Sequence, residues 1–278
     1  MKAVLLICFA LIAFAFNSIL CRMALASGEI DAASFTAIRL VSGAAALALL
    51  IAVTRKTQTH GVRGHWQSAF FLFIYAVFFS FAYLGLTAGT GALILFGFVQ
   101  ITMIGFSIFK RERPSAFEWL GFAVALMGLI YLVSPGLSAP PLWNAGLMAV
   151  AGIAWGAYTL RGKGSDDPLA DTAGNFLRSV PMVLLASLPF LYGINFSGRG
   201  VLLAVLSGAL ASGVGYSVWY AALSYLTPTR AAVLQLAVPV LTAVIGVISL
   251  AETMDLRLVS ATALILGGIG ATIWGRKK

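Results

Sequence analysis

Apolar residues come along this chain in runs of roughly twenty, parted by short stretches of charged residues, glycine or proline. Runs of that length match a hydrocarbon core about 30 Å thick crossed by helices rising 1.5 Å per residue. A membrane barrel would instead alternate apolar and polar positions in segments of about ten. The pattern predicts ten helical spans: 3–26, 33–53, 68–88, 90–109 and 115–134, then 143–161, 173–192, 200–224, 229–249 and 256–274. The predicted fold class is an all-α membrane protein with ten transmembrane helices. The connections are too short for a sizeable soluble domain on either side.

Composition agrees, with 60% apolar residues, 10% charged residues and a mean hydropathy of +0.98, values far from those of a soluble domain. The net charge of +9 does not point to nucleic acid, because the basic residues are scattered over short loops rather than gathered on one polar domain. They orient the chain instead, since short loops rich in Lys and Arg stay in the cytoplasm. With the N-terminus inside, that side holds Lys2, Arg55, Lys56, Arg63, Lys110, Arg111, Arg113, Arg161, Lys163, Arg230, Arg276, Lys277 and Lys278; the other holds Arg22, Arg199 and Arg257. An even number of spans then puts both termini in the cytoplasm, in a cell (inner or plasma) membrane. Cys8 and Cys21 fall in one span without metal-ligand spacing and read as packing residues. Lys2, the apolar run and Ala24-Leu25-Ala26 imitate a secretion signal, but the run exceeds the usual 7–15 residues and is read as the first span.

The two halves resemble each other at an offset of 139 to 141 residues. Phe35-Thr-Ala-Ile-Arg39 faces Gly174-Asn-Phe-Leu-Arg178, Gly91–Ile101 faces Arg230–Val240, and Glu112 and Glu252 each follow the fourth span of their half. Five spans per half, an odd number, force the second half upside down: an inverted repeat of residues 1–134 and 143–278. In secondary transporters such a repeat places the substrate site near the midplane between halves. With the Arg39 and Arg178 segments, Gly89-Thr-Gly-Ala-Leu93, Leu226-Thr-Pro-Thr-Arg-Ala-Ala-Val-Leu-Gln-Leu-Ala-Val-Pro239, Lys110-Arg-Glu-Arg113 and Ala251-Glu252, the chain resembles the drug/metabolite transporter superfamily with two EamA-type domains. The resemblance covers nearly the whole chain. It implies a ten-helix transporter, often an exporter of amino acids or other metabolites, similar to amino-acid exporters of the YddG type.

All nine acidic residues lie in loops or at span ends, which counts against a proton/cation antiporter with an intramembrane carboxylate. His60 and His65 precede the third span and read as solvated. Arg39 and Arg178 lie deepest among the charged residues; they either face a cavity or a partner, or snorkel to the interface. The prediction assigns Arg178, and after it Arg39, to a substrate carboxylate or other anionic group. Nearer the midplane the pathway candidates are Asn17 with Ser18, Gln100, Trp155, Tyr158, Asn175, Tyr216, Trp219, Tyr220 and Gln235. Such groups hydrogen-bond a small ligand and hold its side chain against aromatic faces, and they equally serve helix packing. Pro181, Pro189 and Pro239 interrupt helices, and Gly208, Gly213 and Gly215 loosen the eighth span. Spans five and ten carry Gly121, Gly128, Gly267, Gly268 and Gly270, small residues suited to close packing or a homodimer contact.

The predicted function is a secondary transporter, an exporter of small metabolites such as amino acids, working by alternating access, with no cofactor or metal. Its partners are the small-molecule substrate and the bilayer. The alternatives are export of drugs or other organic compounds, or a passive channel. An intramembrane enzyme is disfavoured because no span interior offers a His, Lys, Asp or Glu to pair with a nucleophile.

Overall fold

The computed structural model describes residues 2–54, 63–109, 116–134, 136, 139–226 and 228–275. The first half comprises α1 (Lys2–Ala26), α2 (Ala32–Thr54), α3 (Trp66–Ala82), α4 (Ala88–Phe109) and α5 (Ala116–Val133). The second comprises α6 (Leu142–Gly162), α7 (Pro168–Ser187), α8 (Gly198–Leu206), α9 (Gly215–Leu223), α10 (Pro228–Gln235), α11 (Ala237–Leu250) and α12 (Leu256–Gly275). A 3₁₀ turn, Leu188–Gly193, follows α7, and a π-helical stretch, Ser207–Val214, joins α8 to α9. Among the described residues there is no strand, only an isolated antiparallel bridge between Ile30 and Phe196. Five helical stretches are long and apolar enough to cross a bilayer: Lys2–Ala26, Ala32–Thr54, Ala88–Phe106, Pro168–Gly193 and Gly198–Leu223. Their outward faces expose Leu5, Phe9 and Ile12 on α1 and Leu184 and Leu185 on α7, a surface that hydrocarbon solvates and water would not. This is an all-α membrane protein. Arg55, Lys56, His60, Lys110, Arg111, Glu112, Arg113, Arg276, Lys277 and Lys278 lie outside the described residues.

Helix boundaries follow local chemistry. Asp167 caps α7 by accepting from the Ala170 amide at 3.2 Å, with Pro168 in the first turn, where a missing N–H costs nothing. Thus α7 starts before the predicted residue 173. α3 stops at Ala82, short of the predicted residue 88, because a turn through Gly85 leads to Thr87, whose hydroxyl accepts from the Thr90 amide at the head of α4. Of the three prolines expected to interrupt helices, Pro181 stays within α7, while Pro189 lies in the 3₁₀ turn. Pro239 divides α10 from α11 beside Gln235, the residue whose carbonyl its ring displaces.

In the packing, α2 lies against α7, α4 against α11 and α5 along α12. α6 packs on α3 and α4, and α1 packs on α8, α9 and α11. The small residues of α5 and α12 meet each other: a Cβ on Gly268 would stand 2.5 Å from the Gly121 carbonyl oxygen. Their close-packing faces are thus used within one chain.

Candidate functional site

Arg39, the eighth residue of α2, is 1% exposed. Its Nε donates to Ser212 Oγ at 3.0 Å, and its Nη2 donates to Tyr216 Oη at 2.7 Å and Tyr75 Oη at 3.3 Å. The guanidinium carbon stands 4.9 Å from the Phe79 ring centre and 5.2 Å from that of Tyr75, within cation–π range. Every one of these partners is neutral, and Nη1 is buried with no hydrogen-bond partner among the described residues. An arginine at a span centre costs about 2.5–3.5 kcal/mol on insertion scales, and leaving a buried donor unpaired adds about 1–3 kcal/mol.

Asn17 of α1 organises the groups around it. Its Nδ2 donates to Tyr75 Oη at 3.0 Å and Tyr216 Oη at 3.4 Å, and its Oδ1 accepts from Ser207 Oγ at 2.7 Å and Ser212 Oγ at 3.3 Å. Tyr216 Oη also donates to Tyr75 Oη at 3.1 Å. The two serines can share one acceptor because they lie in the π stretch. Residues five apart point about 140° away from each other in an α-helix, whereas the wider π turn, closed by i→i+5 bonds, brings them to one side. Glycine permits the approach: a Cβ on Gly208 would stand 2.1 Å from the Arg39 carbonyl oxygen.

Aromatic rings close the site on the α6 side. Trp155 lies 4.5 Å from Tyr216, 5.0 Å from Tyr75 and 5.3 Å from Phe14, centroid to centroid, and Phe14 lies 5.6 Å from Trp219. Trp155 Nε1 donates to Gln235 Oε1 at 3.0 Å, at the break that Pro239 makes between α10 and α11. Tyr158 stacks on Trp155, and Tyr220 Oη donates to the Tyr158 carbonyl at 3.0 Å. Gln100 of α4 is buried as well. The predicted candidates Arg39, Asn17, Trp155, Tyr158, Tyr216, Trp219, Tyr220 and Gln235 therefore meet in one polar-aromatic cluster. Tyr75, Ser207 and Ser212 belong to it and were not singled out in the sequence. The one available signal for Tyr75 was a hydroxyl among the phenylalanines of its span.

Arg178 lies outside this cluster, and Asn175, buried next to Phe176, whose ring lies 5.9 Å from that of Tyr216, borders it. Arg178 is half-buried, and its Nη1 donates to the carbonyls of Arg63 at 2.6 Å and Gly174 at 3.0 Å. Asn175 Oδ1 accepts from the His65 amide at 2.9 Å, and Asp171 Oδ1 accepts from the Gly64 amide at 3.2 Å. Together they clamp the connection ahead of α3 onto α7. The repeated arginines differ in what stands one turn before them, the direction in which helical side chains lean. Gly174 leaves Arg178 a route to the Arg63 carbonyl, so near that a Cβ there would stand 1.8 Å from it. The corresponding residue before Arg39 is Phe35, fully buried, and Arg39 turns inward.

At the start of α2 a second clamp joins the α1–α2 connection to the segment before α8. Asp31 N donates to the Asn195 carbonyl at 2.8 Å, Ser197 N to the Glu29 carbonyl at 2.7 Å, and Asn195 N to Asp31 Oδ2 at 3.2 Å. Ser197 Oγ bonds the Glu29 carboxylate, which Arg199 also approaches at 3.5 Å. Asp31 caps α2 through the Ser34 amide at 2.8 Å. Burial raises its pKa, but the hydrogen bonds from Ser34 and Asn195 to the ionised form prevail and hold it below the usual carboxylate value. Nearby, Glu252 accepts from the Ala88 amide at 2.9 Å and pairs with Arg22 at 3.4 Å, and Arg22 also reaches the Tyr83 carbonyl. Ala251, in the left-handed region at φ 51°, turns that carboxylate inward at a conformational cost of roughly 1–2 kcal/mol. Among the described residues no group of three or more His, Cys, Asp or Glu is placed to hold a metal.

The profile of the EamA-like transporter family matches residues 142–274. An uncharacterized protein of Pseudomonas aeruginosa is 51% identical over 268 residues, 96% of this chain and 93% of that protein. A protein of Archaeoglobus fulgidus named as an uncharacterized transporter is 30% identical over 203 residues, 70% of this chain and 71% of its own length. The threonine/homoserine exporter RhtA of Escherichia coli K12 is 29% identical over 181 residues, 62% of this chain and 59% of its own. A crystal structure 18% identical in sequence superposes with a TM-score of 0.72 over 100% of this chain and 98% of that one, a likeness of fold. By the family profile and these transporter relatives, the chain belongs to the EamA-like transporter family of the drug/metabolite transporter superfamily and is a membrane transporter.

Proposed function

We propose that the protein is a secondary transporter that exports small metabolites by alternating access, its ten spans forming two inverted five-helix repeats with the Arg39 cluster between them. The observation that carries this reading is the pattern of helix packing. Exchanging the halves, α1 for α6, α2 for α7, α3 for α8 and α9, α4 for α10 and α11, and α5 for α12, maps the main helix pairs onto one another. α3 on α6 becomes α1 on α8 and α9, α4 on α6 becomes α1 on α11, and the α2–α7, α4–α11 and α5–α12 pairs map onto themselves. The clamps correspond in part: one joins the connection before α2 to the segment after α7, and the other joins the connection after α2 to the first half of α7 itself.

Two closed ends with a buried polar cluster between them describe an occluded state. Opening one clamp at a time would expose the cluster alternately to each side. The basic bias of the sequence puts the Asp171 clamp and both termini on the cytoplasmic side and the Asp31 clamp outside. The RhtA relatives, named as exporters of threonine and homoserine, support export of amino acids or similar small solutes. In this reading the Arg39 cluster lines the pathway, while Asn175 and Arg178 serve the inner clamp.

Counterflow in proteoliposomes tests the reading, with a panel of amino acids and organic acids. A carrier accelerates uptake of labelled solute when the same solute is trapped inside. Flux without trans-acceleration would mean a channel, and no flux with any solute a non-transporting role.

A further inference from the structure

We propose that a groove on the bilayer-facing surface, beside the Asp31 clamp, is a site for one acyl chain of a membrane phospholipid, and that the chain lodged there braces that clamp in its closed arrangement. Binding depends on the bilayer and not on the solute carried, so it goes beyond the transporter reading.

The groove encloses 210 Å³. Phe78 and Phe81 of α3, Trp143 of α6, Ala186 of α7 and Phe190 of the 3₁₀ turn flank it, and buried Thr36 of α2 forms its floor. The rings of Phe81 and Phe190 stand 5.4 Å apart, centroid to centroid, and join α3 to the turn after α7. None of the described lining residues is charged. Its two hydroxyls have their hydrogens committed to their own helices: Thr36 Oγ1 donates to the Ala32 carbonyl at 2.6 Å and Ser187 Oγ to the Val183 carbonyl at 2.8 Å. The indole of Trp143 belongs to an exposed residue at the rim, the usual place of tryptophan at headgroup level. A lodged water needs about two to four polar partners, and drug-sized ligands fill pockets of about 300–1,000 Å³ with orienting polar groups. A smaller, uncharged, apolar groove suits hydrocarbon.

The setting says which hydrocarbon. The groove is continuous with the lipid-facing surface, where Leu184, Leu185 and Leu188 are exposed beside it. Thr36 lies about 6 Å along α2 from the helix start, close beneath Asp31, and acyl chains are the solvent at that depth. Lipid tails are as apolar as leucine, so no hydrophobic drive favours the site. The gain is dispersion: a chain in a groove touches wall atoms on several sides, and a chain on a flat face on one.

The walls from α2 and α3 belong to the first half and those from α6 and α7 to the second. Ala33 and Thr36 follow Asp31 in the opening turns of α2, and Phe190 shortly precedes Asn195, which bonds Asp31. Parting Asp31 from Asn195 draws these walls apart and dismantles the groove, so a chain that fills it favours the closed clamp.

The test uses purified full-length protein, stripped of lipid in detergent, with dioleoyl-phosphatidylethanolamine, dioleoyl-phosphatidylglycerol and dihexanoyl-phosphatidylcholine as probes. Native mass spectrometry should show one dioleoyl lipid retained with either headgroup, as an uncharged groove demands, and no retention of the short-chain lipid. Saturating dioleoyl lipid should raise Tm by roughly 5 °C and slow hydrogen–deuterium exchange at residues 27–31 more than at residues 63–65. Ala186→Phe, which sets a ring in the groove from an exposed position, should lose the retained lipid and both responses; Ala186→Leu, a smaller obstruction, takes its place if the ring prevents folding. Leu184→Phe, exposed on the same helix outside the groove, should keep them. Unchanged retention in the folded Ala186 variant, or a spread of bound lipids with no single saturable one, overturns the acyl-chain site. Retention of the anionic lipid alone overturns it as well, since that is headgroup binding. Retained lipid that leaves exchange at residues 27–31 unaltered removes the bracing. Counterflow by protein that retains no lipid leaves the transporter standing and sinks only this site.

Discussion

The Arg39 guanidinium and the Tyr216 hydroxyl meet at 2.7 Å although 177 residues separate them. The bond joins α2 to α9. It ties the one fully buried cation among the described residues to the end of a π-helical stretch, so the state of that arginine and the shape of span eight are mechanically linked.

Tyr216→Phe should therefore lower stability by about 1–2 kcal/mol, because it removes a bond to a charged group while Tyr75 still holds the same nitrogen. In transport, Arg39→Lys should retain part of the activity and Arg39→Gln little, since lysine keeps the charge and loses the fork. The assays are thermal unfolding in detergent and counterflow normalised to folded protein. Full transport by Arg39→Gln would place the arginine outside the pathway.

The two clamps can be opened separately. Gly174→Ala sets a Cβ 1.8 Å from the Arg63 carbonyl oxygen, and Gly200→Ala sets one 2.4 Å from that of Glu29. Backbone has to move in each case. Hydrogen–deuterium exchange should speed up at residues 63–65 in the first variant and at residues 27–31 in the second. Equal exchange at both ends in both variants would mean that the clamps do not act as separate gates.

Asp31 gives the α1–α2 end a pH dependence of definite sign. Its folded pKa is lowered, so its contribution is whole above the unfolded value of about 3.9 and is lost as pH falls through the lower folded value. Asp31→Ala should cost about 1 kcal/mol near neutral pH, as loss of a helix cap does. The gap in Tm between variant and wild type should narrow below about pH 4. A gap that widens on acidification would reverse the sign.

Glu252 is a strut between α4 and α1. Glu252→Ala leaves the Ala88 amide without its acceptor and the half-buried Arg22 with the Tyr83 carbonyl but no carboxylate, which should cost about 2 kcal/mol. Glu252→Gln, which still offers an oxygen to Ala88, should fall between Ala and wild type in thermal unfolding.

Orientation is read with a reporter fused after Lys278. A cytoplasmic C-terminus is expected from the distribution of Lys and Arg; an external one would exchange the inner and outer clamps.

Much of the fold was legible because the bilayer demands it. A stretch such as Ala32–Thr54, 23 residues long and mostly apolar, can satisfy its backbone in hydrocarbon only as a helix. The aromatic and amide candidates were legible for the same reason: Asn17, Trp155 and Gln235 are polar in apolar surroundings and had to find partners within the protein. The boundaries at Thr87 and Asp167 lay in local capping chemistry finer than the hydropathy pattern.

Two features waited for the tertiary structure. The sequence reading puts Arg178 ahead of Arg39, and it sees a π stretch only as three glycines. Which arginine enters the cluster depends on a route through space: Gly174 opens one for Arg178 to Arg63, 115 residues away, and Phe35 stands in the corresponding place before Arg39. Ser207 and Ser212 face Asn17 only because an extra residue in the turn rotates them together, and that turn fits only where Gly208 meets the backbone of α2. Hydrophobicity along the chain selects the helices one at a time, by transfer from water to lipid. The partner of a buried polar group is selected by the packing of helices far apart in sequence, which a linear pattern does not encode.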